Sequence, residues 1–493
     1  MQKNRLRSAC ICMLVLYASL LVQAHATDNK NPKLTVVIII DQFAYHYLPK
    51  LKNYFHYGLH TLLKDGQVYT QAYHAHGIPE TTPGHHAIST GTLPKDHGAI
   101  LNQWLNAEYK REYYVTDPDP KAAVFQPSYA LRSSELVASK GKPDPAHPDG
   151  KSCVKTMVDG LSDQFVLAST PQCNHKAFAL SLKAHPAIAT AQRLGKPIWF
   201  DEVYGGFTSS KKYFDALPEW VSTFNKSKKF STLSHVTWRT MRRTKNACYN
   251  FADIKNYDYA GLPFSMAAIP SIAIDRKLAQ PFELYLKTPI ASQALIDLAK
   301  SCIKHNFNKN SDRMLVWLSL SSLDLVGHIY GPDSLEAIDT LYHVDKQIAD
   351  LMKFIHKIID PKECLYVLTG DHGIPPMPEL MQKRGIPNAR RIMAQPLIDD
   401  MNKMILEKYA LNTIVRGFEP TYFVLDKKLF GQQDHQKQMA ILADLKNFLQ
   451  HQPGIKRVWT AAELEQETFQ ADQPENHYKT QLYRDAAVTL SAW

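Results

Sequence analysis

Cysteine is scarce in this chain. Among 493 residues there are seven, and no two stand at Cys-x-x-Cys spacing, so a thiolate metal site of that kind is excluded. The first apolar run, Ala9 to Val22, is shorter than the roughly 20 residues needed to cross a bilayer. No internal repeat and no long low-complexity segment occurs, and an apolar content of 45% leaves little room for disorder. Lys and Arg outnumber Asp and Glu by 57 to 47, but they are scattered and form no stripe. Specific nucleic-acid binding is therefore not expected, and solvated surface accounts for the excess.

What the first residues do contain is a leader. Lys3, Arg5 and Arg7 precede the apolar run, and Ala24-His25-Ala26 follows it with the small-x-small pattern of a signal peptidase site. Residues 1–26 are predicted to be removed after Ala26, giving an exported protein, periplasmic or secreted, that begins at Thr27 and has no membrane span. Lipidation is excluded, because Cys10 and Cys12 lie at the start of the run rather than after it. Loss of the three basic residues lowers the formal charge from +10 to +7, a balance that favours anionic partners in general. Cys153, Cys173, Cys248, Cys302 and Cys364 remain; they permit at most two disulfides and leave one thiol over.

Leu34 to Ile40 (LTVVIII) reads as a strand buried on both faces of a parallel sheet. Met314 to Leu320 (MLVWLSL) and Leu365 to Leu368 (LYVL) repeat the pattern. Between them Ile338, Leu341, Val344, Ile348, Leu351, Ile355 and Ile358 step by three and four, an amphipathic helix. Strand, helix, strand predicts an α/β fold, a three-layer sandwich with a mainly parallel sheet. Tyr422 to Leu425, a helix near Gln436 to Leu449, and Lys456 to Trp459 are expected to continue the alternation. Residues 27–493 would form one large domain, with insertions at about 108–171 and 204–282, where Pro, Lys, Tyr and Asp break the pattern.

Three predicted strands end in an acidic residue: Asp41, Asp324 and Asp371. Open parallel sheets present their sites at such ends. Two of these carboxylates come with imidazoles, Asp324 with His328 in DLVGH and Asp371 with His372 in DHG, a donor set suited to zinc. The segment His76 to Gly91, HGIPETTPGHHAISTG, places Thr81 or Thr82 near a helix N-terminus, where backbone N–H groups and the dipole favour anions. A hydroxyl there can attack phosphorus if a divalent metal favours its alkoxide.

Taken in order, Asp41, PETTPGH, DLVGH and GDHG resemble the alkaline phosphatase superfamily, in particular its type I phosphodiesterase/nucleotide pyrophosphatase branch and the phosphate-irrepressible alkaline phosphatases close to it. The likeness runs from about Leu34 to about Tyr483. It implies metal-dependent hydrolysis of phosphoric esters through a covalent phospho-threonine intermediate on Thr81 rather than Thr82. It also implies two divalent ions, zinc by preference, about 4 Å apart: one held by Asp41, Thr81, Asp371 and His372, the other by Asp324 and His328. Asn102, in HGAILNQW, matches a residue that donates to a phosphoryl oxygen. Lys183, in SLKAH, matches the Lys of a Lys-x-Arg pair that recognises a monoester dianion, with His185 in place of the Arg. A neutral imidazole offers one donor where a guanidinium offers a charged fork, so a diester remains an alternative to a monoester.

Members of this superfamily carry a further His-Gly motif that supplies the second metal with a third ligand. After His372 the sequence has only His435, His451 and His477, none in such a motif. An incomplete second site is therefore expected, and a degenerate phosphate-ester-binding protein is the alternative to an enzyme. A sulfatase is excluded, since the Thr81 loop contains no C/S-x-P-x-R motif. The expected partner is a small-molecule phosphate ester; the sequence leaves the oligomeric state open.

Overall fold

Six strands make the central sheet: β1 (Leu34–Ile40), β2 (Asn174–Ser181), β3 (Lys196–Asp201), β4 (Gly206–Thr208), β5 (Asp312–Leu320) and β6 (Cys364–Thr369). Their order is β6-β1-β5-β2-β3-β4. Every pairing is parallel except β3 with β4. The computed structural model describes residues 31–106, 108–126, 149–243, 245–250, 271–274, 278, 280–419 and 422–465. The predicted leader and His477 lie outside the described residues.

Alternation along the strands divides the core into two layers. Val36, Ile38 and Ile40 join Phe178, Leu180, Val316 and Leu318 on one face. There they pack against α3 (Pro289–Asn306) and α5 (Leu335–Ile355), through Leu295, Ile338 and Leu341 among others. Val37 and Ile39 face the other way with Ala179, Leu315 and Trp317, against Phe165 and Ala191. The helices of this second layer include α1 (Thr81–Thr90) and α2 (Ala184–Ala191). Each large aliphatic side chain so buried contributes roughly 1.5–3 kcal/mol of transfer free energy. The α5 helix begins where Ser334 accepts a hydrogen bond from the Ala337 N–H, and it ends at Ile355, leaving Ile358 in the turn beyond.

Register sets the strand ends level. Ile40 pairs with Leu320, Ile39 with Thr369, and Ser319 with Ser181. The residues that follow these four strands therefore converge at one end of the sheet.

Several elements differ from the expected alternation. Tyr422–Leu425 pairs antiparallel with Val415–Glu419 in a separate ribbon, not with the parallel sheet. The helix expected there spans His435–Gln450. With the helix Ala394–Tyr409 it encloses a small core of its own around Met401, Ile405, Ile441 and Leu445. Lys456 to Trp459 is irregular rather than a strand; Val458 alone lies against that core, and one apolar contact needs no ladder. Strand β4 lies inside the stretch from 204 to 282 and belongs to the main sheet. Cys153, Cys173, Cys248, Cys302 and Cys364 are all free thiols.

Candidate active site

At the level end of the sheet each of four strands delivers charge. Asp41 follows β1 and Lys183 follows β2. Asp324 sits in the first turn of α4 (Ser322–Tyr330), after β5, and Asp371-His372 follow β6. Asp41, Asp324 and Asp371 are each no more than 1% exposed. Three carboxylates so close and so dry repel one another unless cations join them.

Thr81 arrives on the N-terminus of α1, which follows the extended residue Glu80 (φ −120°, ψ 159°). Its Oγ1 lies 3.5 Å from Asp41 Oδ1 and 3.5 Å from His372 Nε2. The neighbouring Thr82 is fully buried and its Oγ1 has no hydrogen-bond partner, so of the two only Thr81 faces the cluster. Gly84 allows this approach: a Cβ there would stand 2.2 Å from the Asp371 carbonyl oxygen. The helix ends at Gly91, whose φ of 68° suits a residue without a side chain.

The helix end offers an anion less than the sequence suggests. The Thr82 N–H donates to Asn102 Oδ1 at 2.7 Å, Pro83 has no N–H, and the Gly84 N–H donates to the Glu80 carbonyl. What remains is the Thr81 N–H and the helix dipole.

Lys183 and His372 supply the compensating charge. Lys183 Nζ donates to Asp41 Oδ2 at 2.8 Å and to Asp324 Oδ2 at 2.5 Å. Burial by itself would lower its pKa, but the two carboxylates outweigh that and hold it well above the ordinary lysine value. His372 Nε2 lies 3.3 Å from Asp41 Oδ1 and 3.7 Å from Asp371 Oδ2. Burial opposes its protonation, yet Asp371 and Asp41 raise its pKa to about 10. Burial pushes Asp371 upward, and the neighbouring His372 and His85 bring it below the usual carboxylate range. His328 Nε2 reaches Asp324 Oδ1 at 3.2 Å from a side chain that is 66% exposed, and that hydrogen bond raises its pKa. His185, on the first turn of α2, is held neutral by burial and by Lys183, its pKa lowered to about 3.

The donors present fit a divalent cation. Ligand atoms of Asp41, Asp324 and His372 all lie within 4.8 Å of one another. Asp371 Oδ2 is buried without a hydrogen bond; His85 Nδ1, 3.1 Å away, is directed at the Thr81 carbonyl oxygen at 2.9 Å. An anionic oxygen left without a donor in the interior calls for positive charge. The close trio crosses the two sets implied by the resemblance, taking Asp41 and His372 from one and Asp324 from the other.

Two contributors were not anticipated from sequence. Gln42, with φ of 67°, donates its N–H to Asp371 Oδ1 at 3.1 Å and its Nε2 to Asp324 Oδ1 at 3.0 Å. It thereby ties the ends of β1, β5 and β6 together. Gly327 makes room for it, since a Cβ there would lie 2.0 Å from Gln42 Oε1. Glu80 is the other: its Oε2 accepts the Asn102 N–H at 2.7 Å.

A sequence model of the type I phosphodiesterase / nucleotide pyrophosphatase family matches residues 35–481. The alkaline phosphatase PhoV of Synechococcus elongatus is 24% identical over 424 residues, covering 82% of this chain and 72% of the relative. The alkaline phosphatase PafA of Elizabethkingia meningoseptica is 26% identical over 426 residues, covering 85% and 73%. The crystal structure of wild-type alkaline phosphatase PafA superposes with a TM-score of 0.73 at 22% identity, over 93% of this chain and 83% of that one, which establishes a shared fold. With a family match across nearly the whole described chain, this protein belongs to the type I phosphodiesterase / nucleotide pyrophosphatase family.

Proposed function

We propose that the chain is an exported, metal-dependent phosphoric-ester hydrolase of the alkaline phosphatase/phosphodiesterase type with Thr81 as its nucleophile. The observation that carries this reading is the position of Thr81 Oγ1, at a helix N-terminus and 3.5 Å from both Asp41 and His372. A solved variant of alkaline phosphatase PafA carries replacements of a Thr, an Asn, a Lys and an Arg; Thr81, Asn102, Lys183 and His185 stand in the same order here.

Asp41, Asp371, His372 and Thr81 would hold one ion, Asp324 and His328 the other. When bound, such ions, zinc by the chemistry of the donors, favour the Thr81 alkoxide and offset charge on the leaving oxygen. Thr81 Oγ1 bonds to phosphorus as the ester P–O bond opposite breaks. The Thr81 proton passes to solvent and the departing oxygen takes a proton from water. A water molecule then displaces Thr81, releasing the phosphate and restoring the hydroxyl. Asn102 Nδ2 donates to a phosphoryl oxygen.

A diester reading has its own support. The Lys183 ammonium is already shared by two carboxylates and His185 is neutral, so little cationic charge is free for a monoester dianion. The test is hydrolysis of an aryl phosphate monoester and the matching diester at alkaline pH, with and without added zinc, beside Thr81→Ala. Zinc-dependent turnover that Thr81→Ala abolishes supports the enzyme, and the preferred ester fixes the class. No turnover on either ester gives first place to the phosphate-ester-binding reading.

A further inference from the structure

Asn102 is anchored at three of its four polar groups. Its N–H donates to Glu80 Oε2 at 2.7 Å, its carbonyl oxygen accepts the Tyr114 N–H at 2.9 Å, and its Oδ1 accepts the Thr82 N–H at 2.7 Å. Because Oδ1 must face that N–H, the amide has one orientation, and Nδ2 is left as the outward donor. The buried residues Ile100 and Leu101 bring the chain to this point.

Glu80 directly precedes α1 and makes no side-chain cap to its own helix. Its carboxylate reaches back to Asn102 instead, and Asn102 caps the helix in its stead. The two bonds close a ring through the first turn of α1: Glu80 to Asn102, Asn102 to Thr82. The ring binds the orientation of the Asn102 amide to the helix that carries Thr81. A buried or half-buried carboxylate beside a site that takes an anionic phosphoryl group is unfavourable by like charge. Its use here calls for a compensating gain, which the ring provides.

We infer that Glu80 is a positioning residue for phosphoryl transfer, holding the Asn102 amide as a donor to the phosphoryl oxygen; this rests on the hydrolase reading above. Asn102, not Glu80, touches the substrate.

The test is a double-mutant cycle on the zinc-loaded full chain, with an aryl phosphate as substrate and inorganic phosphate as the binding probe. Glu80→Ala lowers kcat/KM by roughly tenfold to a hundredfold, and Glu80→Gln, which keeps an acceptor, restores most of it. In an Asn102→Ala background, Glu80→Ala adds less than about a twofold further loss, because the group it positions is gone. Full multiplication of the two losses, or wild-type kcat/KM in Glu80→Ala, overturns the proposal. A wild-type chain whose turnover Thr81→Ala abolishes keeps the hydrolase reading intact whichever way Glu80 behaves. A wild-type chain that neither hydrolyses the ester nor binds phosphate overturns both.

Discussion

Lys183 Nζ donates to Asp41 Oδ2 at 2.8 Å, with the carboxylate fully buried and the lysine side chain 15% exposed. Through its second contact, to Asp324, the ammonium shares the two carboxylates that also belong to the metal-competent trio. The same two carboxylates can thus serve two kinds of cation, one built into the chain and one supplied from outside.

Lys183→Met should therefore destabilise the chelator-treated protein by about 3 kcal/mol, since removing one partner leaves buried charge uncompensated. Urea unfolding in EDTA measures this, and zinc should restore more stability to the variant than to the wild type. Equal stability of variant and wild type in EDTA would show that the lysine is not the counter-charge.

For Thr81→Ala, the expectation is loss of turnover by roughly a thousandfold or more, with unfolding free energy within about 1 kcal/mol of wild type. Thr81→Ser should retain measurable turnover. Undiminished activity in the alanine variant removes Thr81 from the chemistry.

Gly84→Ala tests the approach of α1 to the loop after β6. A contact of 2.2 Å to backbone forces the helix and the loop apart, at roughly 1–3 kcal/mol, and should weaken zinc binding measured by calorimetry. A variant as stable and as zinc-competent as the wild type would refute the close approach.

Acid should weaken the fold through buried neutral histidines. His97 is fully buried, and its Nδ1 accepts the Ala99 N–H at 3.1 Å, so no proton can be added there without losing that bond. Burial, with His86 and His76 nearby, lowers its pKa to about 2. Burial likewise lowers His86 to about 4. The unfolded chain takes up these protons first, near an ordinary pKa of about 6.5. Stability is therefore complete above that value and falls as pH drops from it toward 4, by about 1.4 kcal/mol per pH unit for each such imidazole. Denaturation of wild type and His97→Asn at pH 7, 6 and 5 should show a shallower slope in the variant; identical slopes would contradict the assignment.

The strands β1, β5 and β6 were legible because runs such as LTVVIII are apolar at every position when both faces are covered. β2 and β3 were not marked. The first begins with the polar Asn174-His175-Lys176, and the second holds Pro197 within six residues. In the site, Asp41, Asp324, Asp371 and His372 could be read because each follows such a run. Gln42 and Glu80 could not, since their roles are hydrogen bonds to Asp371, Asp324 and Asn102, and no local pattern encodes a partner 22 to 329 residues away. The shared use of Asp41 and Asp324 by Lys183 likewise emerges only once β2 is placed beside β5.

The pairing of β6 with β1 joins Leu34 to Cys364. A nascent chain thus lays down Asp41 almost first and must complete nearly the whole sheet before Asp371 can stand beside it. So long a loop costs entropy to close, and until β6 docks Asp371 and His372 stand apart from Asp41 and Asp324, whose strands β1 and β5 pair directly. The close trio is completed only by His372, so capture of an ion there reports that β6 has docked, and an amino-terminal fragment ending before β6 keeps Asp41, Asp324 and His328 but lacks Asp371 and His372.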